Sequence, residues 1–192
     1  MSASSFYSRE ELEQIGFANL GENVLISRKT SIYGAEKMEI GNNVRIDDFC
    51  FLMGKIKLGN YIHIAPYSNL VAGDAGIRMC DYSGVSSRVS IYAVSDDYSG
   101  GAMTNPTIPE KYTNVIKKPV VLEKHTIIGA SSVVLPGVIV REGSSCGSMC
   151  LINKSTDSWS INVGIPAKKI GERKKDLLEM EYQFEEELKT VK

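Results

Sequence analysis

The stretch from Ile40 to Leu70, IGNNVRIDDFCFLMGKIKLGNYIHIAPYSNL, carries an aliphatic residue at every sixth position. A period of six fits neither the 3.6-residue period of an α-helix nor the two-residue alternation of a single strand. It predicts short strands joined by tight turns and wound into a prism with three flat faces per coil. The series comprises Ile40, Ile46, Leu52, Leu58, Ile64 and Leu70, then Leu122, Ile128, Val134, Val140, Cys146 and Ile152, with shorter runs at Leu20, Ile26 and Ile32 and at Met79, Val85 and Ile91.

The residues between these positions support the same coil. Small or β-branched residues recur four places after the periodic ones, where a tapering interior has little room: Val44, Cys50, Ile56, Ile62, Thr126, Ser132, Val138 and Ser144. Glycine and asparagine stand at the expected corners, as in IGNN and LGNY, where the backbone must turn sharply. A stacked repeat leaves its end strands unpaired and needs a cap. A short helix from Ser8 to Gly16 can supply one, because Ser8 and Glu11 have the spacing of a capping box.

Composition limits the functions that need to be considered. The 192 residues include 22 lysines and arginines and 23 acids, so a net charge of -1 gives little attraction to nucleic acid or to an anionic membrane. We expect neither a membrane span nor a signal peptide, and therefore a cytoplasmic protein. The four cysteines lack CxxC spacing and are expected to be small buried residues rather than disulfides or zinc ligands.

Small insertions shift the phase between the runs, and the long interruption lies between Asp96 and Lys118, which is the first place to look for a site. Residues 1–169 are therefore predicted to form one β-helical domain with an N-terminal helical cap and an inserted loop at 96–118. Residues 170–192 mix apolar and charged residues at helical spacing and are predicted to form a C-terminal helix.

The repeats resemble those of the hexapeptide-repeat acyltransferases, which fold as a left-handed parallel β-helix. The segments SSRVSIY (86–92), SDDYSGG (95–101), NPTIPEKY (105–112) and EKHTIIGA (123–130) are most similar to the N-acyltransferases that act on dTDP-4-amino-4,6-dideoxyglucose. The resemblance implies transfer of an acyl group, expected to be acetyl, from acetyl-CoA to the sugar 4-amino group for surface polysaccharide such as O-antigen. It also implies a homotrimer with sites between subunits.

Matching the motifs puts Ser86 and Asp96 beside the sugar. Asp96 stands where related sugar O-acetyltransferases have a catalytic histidine, and an aspartate with a pKa of about 4 is a weak base for a hydroxyl group. An amino group brings its own nucleophile, so Asp96 need only orient it. The alternative is a saccharide O-acetyltransferase in which His125, directly after the insertion, acts as the base. With only two histidines in the chain, a three-imidazole zinc site is not expected, and no metal is predicted.

The donor site is inferred from small residues at the predicted corners. In the family the pantetheine arm runs along such corners, which here carry Gly129, Ala130, Gly147 and Ser148. The closing motif NVGIPAKKIGERKK adds Lys168 and Lys169, with Arg173 and Lys174 behind them, as candidates for the nucleotide phosphates of CoA. A third hypothesis, a non-catalytic β-helical assembly module, gives the long insertion no purpose.

Overall fold

The six-residue period produces a parallel β-helix of about seven coils. The computed structural model describes residues 5–190. Two α-helices, α1 (Arg9–Ile15) and α2 (Leu177–Thr190), lie at the ends of the chain, and two 3-10 turns span Ala35–Lys37 and Glu110–Tyr112. The strands are β1 (Asn19–Leu20), β2 (Leu25–Ile26), β3 (Ser31–Tyr33), β4 (Glu39–Ile40), β5 (Val44–Ile46), β6 (Phe51–Leu58), β7 (Ile62–Ile64), β8 (Asn69–Met79), β9 (Gly84–Val85), β10 (Ser90–Tyr92), β11 (Val94–Ser95), β12 (Ile116–Lys117), β13 (Val120–Leu122), β14 (Ile127–Ile128), β15 (Val133–Val134), β16 (Ile139–Val140), β17 (Ser145–Cys146), β18 (Leu151–Ile152), β19 (Ser160–Val163) and β20 (Lys168–Glu172).

Each complete coil contributes one strand segment to each of three faces, which we name A, B and C in the order in which the chain meets them. The last, partial coil of the described residues adds only β19, on face B. Face A contains β1, β4, the second halves of β6 and β8, β13 and β16. Face B contains β2, β5, β7, β9, β14, β17 and β19 and is closed by β20. Face C contains β3, the first halves of β6 and β8, β10, β15 and β18. Corners AB, BC and CA join the faces.

The interior is filled by the periodic residues. In the two long runs, beginning at Ile40 and at Leu122, every sixth residue is at most 3% exposed. The smaller residues four places later are also buried, as predicted. Leu12 of α1 is buried against the first coils, and Ser8 and Glu11 form the expected capping box. The repeat, its phase and its cap are therefore confirmed.

The corners differ from the prediction in one respect. At corners AB and BC the left-handed backbone conformation is taken mostly by residues with side chains, including the aromatic residues Tyr61 and Tyr67, with φ of 55° and 63°. Gly41 is needed for a different reason: a Cβ atom there would overlap the backbone of Gly59 in the next coil. Glycine thus permits close stacking of coils at that position, whereas the outward-pointing aromatic side chains stack on one another.

The insertion leaves the prism at corner CA. Its ends pair as the antiparallel strands β11 and β12, and between them the chain forms a loop stabilised by local hydrogen bonds, such as that from the Met103 N–H to the Tyr112 carbonyl. The Tyr98 side chain at its tip is 89% exposed. The paired strands β11 and β12 thus flank the segment that leaves the prism.

The C-terminal helix begins later than the sequence indicated. Helix α2 begins at Leu177 rather than at Ile170, because Lys168–Glu172 pair antiparallel with β19 and cover the last open edge of face B. The predicted boundary at 169/170 therefore falls inside a strand. Within residues 5–190, no helix has the length and apolar character needed to cross a membrane.

Candidate active site

Corner BC brings together most of the residues predicted to meet the substrates. The ends of β9, β14 and β17 are stacked in register, so Ser86, Gly129 and Gly147 occupy the same place in three successive coils. Their backbone N–H groups donate to the carbonyls of Ile128, Cys146 and Asn162 at 2.9, 2.8 and 2.8 Å. The backbone donors thus hold the coils together, and the outer surface of the corner remains accessible.

This column is smooth because its residues are small. A Cβ atom on Gly129 would overlap the backbone of Gly147 and Ser148, so glycine is required for the coils to approach. Ala130 and Ser148 lie one place further round the same corner, and Ser148 is exposed. The corner therefore forms a shallow track with backbone at its floor, which suits a long flexible ligand such as a pantetheine arm.

Lys168 and Lys169 of the closing motif lie in different environments. Lys168 of β20 pairs in register with Val163, which follows Gly147 in the column, and its ammonium forms no ion pair with residues 5–190. Lys169 forms ion pairs with Glu172 at 2.5 Å and with Asp157 at 3.5 Å, and its pKa is raised by the Glu172 hydrogen bond. Lys168 is thus the free cation at the end of the track.

Arg173 does not fit the predicted phosphate role. Its guanidinium donates to the carbonyl oxygens of His125 and Gly143 at 2.6 and 3.0 Å, at corner AB. Burial lowers the pKa of Arg173. The group therefore satisfies two backbone carbonyls beneath the C-terminal segment instead of facing the track.

Asp96 lies at the root of the insertion. Its Oδ2 accepts a hydrogen bond from the Asn105 N–H at 3.2 Å, and no residue between 5 and 190 donates to its Oδ1. The neighbouring Asp97 accepts hydrogen bonds inside the loop from the Ser99 N–H and the Asn114 amide. Hydrogen bonding by the Ser99 side chain, then by Asn114 and the Ser99 backbone, lowers the pKa of Asp97. Asp97 therefore shapes the loop, whereas Asp96 keeps one carboxylate oxygen available.

The structure does not bring Ser86 and Asp96 together within one chain. Ser86 precedes β10 at corner BC, and Asp96 follows β10 at corner CA, so face C lies between them. The Ser86 hydroxyl has no hydrogen-bond partner within residues 5–190, although Ser68 donates to its carbonyl. Ser86 and Asp96 could share one ligand only if another copy of the chain supplied one of them.

His125 is far from the environment that a base would need. It lies at corner AB, away from the insertion, and is 7% exposed. Its ring stacks on Tyr82 at 5.3 Å, and Nε2 lies 2.8 Å from Glu181 of α2. His125 closely follows the insertion in sequence, but β13 carries the chain along face A to corner AB, so the residue lies away from the loop. His125 and Glu181 are 56 positions apart in the sequence, and no sequence pattern indicates their pairing.

The second histidine, His63, points outward from face B and its Nε2 lies 2.7 Å from Oδ2 of Asp47. Neither histidine lies at corner BC. No cluster of histidine, cysteine, aspartate or glutamate side chains within the described range 5–190 could hold a metal ion.

Comparison with known proteins gives this corner its chemical context. The dTDP-4-amino-4,6-dideoxy-D-glucose acyltransferase of Escherichia coli is 48% identical over 177 residues, which cover 91% of this chain and 92% of the relative. The chain belongs to this acyltransferase family. No family model matches it. The resemblance drawn from the repeats and motifs is confirmed. Membership of an acyltransferase family argues against the hypothesis of a non-catalytic assembly module.

Solved structures agree in both fold and ligands. AntD, an N-acyltransferase from Bacillus cereus, was crystallised with dTDP and 3-hydroxybutyryl-CoA; it is 49% identical, with a TM-score of 0.96 covering 97% of this chain and all of AntD (100%). A serine-to-alanine variant of AntD contains dTDP-4-amino-4,6-dideoxyglucose and CoA, with 49% identity, a TM-score of 0.95 and coverage of 96% and 100%. The fold is the predicted left-handed parallel β-helix.

Proposed function

We propose that this protein transfers an acyl group from acyl-CoA to the 4-amino group of dTDP-4-amino-4,6-dideoxyglucose. The observation that carries the proposal is the 48% identity to an acyltransferase of that substrate over nearly the whole length of both chains. The structure of an AntD variant with dTDP-4-amino-4,6-dideoxyglucose and CoA supports the assignment of both substrates. We further propose that the reaction occurs in the cytoplasm and supplies a sugar for surface polysaccharide.

The reaction does not need a strong general base from the protein. The neutral amine attacks the thioester carbonyl, a C–N bond forms, the C–S bond breaks, and the departing thiolate or solvent takes the proton. Asp96 would orient the amine, and the hydroxyl of Ser86, which has no hydrogen-bond partner within residues 5–190, would hydrogen-bond beside it. Variants of AntD with a changed serine or a changed aspartate have been crystallised, and these are the two residue types in our proposed site.

The acyl donor would lie along corner BC. Gly129, Ala130, Gly147 and Ser148 offer it a smooth track, and Lys168 and Lys169 stand at the far end for the phosphates of CoA. Lys169 would contribute less than Lys168, because Glu172 and Asp157 already neutralise it. Acetyl is the acyl group that the sequence predicts, and 3-hydroxybutyryl, which AntD binds, is the second donor to test.

Two observations support a homotrimer with sites between subunits. Ser86 and Asp96 occupy different corners of one chain, so a neighbouring copy would have to supply one of them. The insertion also exposes apolar side chains that a neighbour could cover, among them Tyr98, Met103 and Tyr112. A flat β-helical face suits symmetric packing of this kind.

The test is mass spectrometry of the sugar nucleotide after incubation with enzyme and acyl-CoA. We expect its mass to increase by one acyl group, with one free thiol released per product. Parallel reactions with acetyl-CoA and 3-hydroxybutyryl-CoA would identify the preferred donor. Absence of an acylated product with either donor would refute the proposed function.

A further inference from the structure

One residue of the insertion has a backbone conformation that the coils do not require. Asn105 has a φ of 79°, in the left-handed region that residues with side chains seldom occupy. The other non-glycine residues with positive φ in the described range, 5–190, all stand at corner AB or BC, with φ between 55° and 63°. Their conformation follows from a turn that repeats in successive coils. Asn105 lies outside the prism, so its conformation needs a local explanation.

A tight turn at the start of the segment NPTIPEKY (105–112) holds Asn105 from its C-terminal side. The Asn105 Oδ1 accepts hydrogen bonds from the Thr107 N–H at 3.0 Å and from the Thr107 hydroxyl at 2.5 Å. The Asn105 carbonyl accepts one from the Ile108 N–H at 3.3 Å. Pro106 lies inside this turn with a φ that its ring restricts. Asparagine suits the first position, because its side chain forms such turns and it tolerates positive φ.

The N–H of Asn105 holds the side chain of Asp96. It donates to Asp96 Oδ2 at 3.2 Å, across nine positions of the sequence. No other residue between 5 and 190 donates a hydrogen bond to this carboxylate. The backbone of Asp96 is held separately, because it directly follows β11, which pairs with β12 at the root of the insertion. The turn at Asn105 therefore supplies the hydrogen bond that orients the Asp96 carboxylate and leaves Oδ1 without a donor.

The positive φ of Asn105 allows the turn and the Asp96 hydrogen bond to form together. The angle φ measures rotation about the N–Cα bond, which joins the N–H group to the Cα atom that leads into the turn. A change from 79° to an ordinary value near −65° would rotate the N–H by about 140° relative to the turn. Because hydrogen bonds weaken steeply when they bend, a residue that prefers negative φ would lose either the turn or the contact with Asp96.

We infer that Asn105 is a positioning residue for acyl transfer: its left-handed turn holds the Asp96 carboxylate so that Oδ1 can accept a hydrogen bond from the 4-amino group of the sugar. The inference rests on the proposed function, because it takes Asp96 as the group that orients the amine. It gives the segment NPTIPEKY a role in the reaction beyond closing the loop. Orientation matters because small errors in the approach of two reacting groups cost much of the rate.

Asn114 offers a matched control in the same insertion. Its side-chain amide donates to Asp97 Oδ2 at 2.9 Å, so it too is a loop asparagine that holds a carboxylate. That carboxylate belongs to the neighbour of Asp96 and also accepts from the Ser99 N–H at 2.8 Å. Asn114→Ala therefore loosens the loop without removing the hydrogen bond to Asp96.

The experiment measures thiol release from acyl-CoA with dTDP-4-amino-4,6-dideoxyglucose for the wild type and three variants. We expect Asn105→Ala to lower kcat about fivefold or more, because alanine disfavours positive φ and the N–H turns away from Asp96. Asn105→Gly makes positive φ available again and should restore kcat to within about twofold of the wild type. Asn114→Ala should also remain within about twofold. The KM for acyl-CoA, dTDP binding by calorimetry and the native mass should be unchanged in all three.

A double variant separates positioning from a general structural effect. If Asn105 acts through Asp96, adding Asn105→Ala to Asp96→Ala should lower kcat no further than Asp96→Ala alone. Thr107→Val tests the same turn without changing Asn105, and it serves if Asn105→Ala does not fold. It removes the 2.5 Å hydrogen bond and should lower kcat in the same direction as Asn105→Ala, by a smaller factor.

Full activity of Asp96→Ala or of Asn105→Ala would overturn the inference. An equal loss in Asn105→Gly or in Asn114→Ala would overturn it too, since the loop as a whole would then be responsible. Additive losses in the double variant would mean that Asn105 acts independently of Asp96. Any of these results with a wild type that acylates the sugar refutes the positioning role alone, whereas a wild type that releases no thiol refutes the proposed function and the inference with it.

Discussion

The role assigned to His125 changes once its surroundings in the structure are known. In sequence it follows the insertion and is a candidate base, but its ring is enclosed by Tyr82, Trp159 and α2, and Glu181 contacts its Nε2 at 2.8 Å. We predict that His125→Ala keeps kcat within about twofold of the wild type and lowers the free energy of unfolding by about 1–3 kcal/mol. Steady-state kinetics and urea unfolding measure the two effects. A well-folded variant without activity would revive the O-acetyltransferase mechanism.

The Glu181 carboxylate should give the stability a defined pH dependence. Burial raises its pKa, but hydrogen bonds from Lys124 and His125 outweigh burial, and the pKa lies below its ordinary value of 4.5. A group whose pKa is depressed by folding stabilises the fold above the unfolded-state pKa and loses that effect as the pH falls through the folded-state pKa. We predict that Glu181→Gln lowers the Tm at pH 7, and that its difference from the wild type shrinks below pH 4.5.

The control for this prediction is Glu179→Gln, on the solvent side of α2, where Gln183 is the hydrogen-bonding partner. It should leave the Tm nearly unchanged at both pH values. A Glu181→Gln difference that is constant between pH 7 and pH 4 would mean that the Lys124–Glu181–His125 contacts do not hold α2 in place.

At the scale of single strands, the periodic positions should dominate stability. Leu70 on β8 is 0% exposed and Leu25 on β2 is 44% exposed, although both are leucines in parallel strands of the β-helix. We predict that Leu70→Ala costs about 3 kcal/mol of unfolding free energy, because it leaves a cavity in a close-packed interior. Leu25→Ala should change it by less than about 1 kcal/mol. Equal effects in urea unfolding would contradict the assigned phase of the repeat.

The repeat was predictable because its information is local. Every six-residue unit contains its own inward-pointing residue and its own turn, so the fold, the phase of the repeat and the insertion could all be predicted from the sequence. The start of α2 could not, because Lys168–Glu172 are strand only by pairing with β19. The stacked aromatic corners were also missed: a tyrosine at positive φ is unfavourable alone and is compensated by rings in the neighbouring coils.

The candidate site was predictable only in part, for a related reason. Ser86, Gly129 and Gly147 fall into one column because coils built from three six-residue units put equivalent positions in register. The partners of Arg173 and His125 depend on how the C-terminal segment folds back, which no local pattern encodes. Tertiary contacts of this kind override single-sequence inference.

For the whole molecule, the separation of Ser86 and Asp96 predicts complementation between inactive subunits. If each site takes Ser86 from one subunit and Asp96 from its neighbour, a co-refolded mixture of Ser86→Ala and Asp96→Ala chains contains some intact sites. We predict up to about a quarter of wild-type activity for a random equal mixture in a cyclic trimer. Kinetics after refolding, with native mass measurement, check this. Activity no higher than that of either variant alone would mean that the two residues do not share a site across subunits.

The central claim is that an amine acceptor removes the need for a histidine base at corner BC. The most direct test is release of CoA thiol with dTDP-4-amino-4,6-dideoxyglucose, run beside the same sugar nucleotide carrying a 4-hydroxyl group. Our account predicts turnover with the amine alone, because a neutral amine attacks the thioester without deprotonation by the protein. Comparable turnover with the hydroxyl would contradict it and would require a base that neither histidine supplies at this corner.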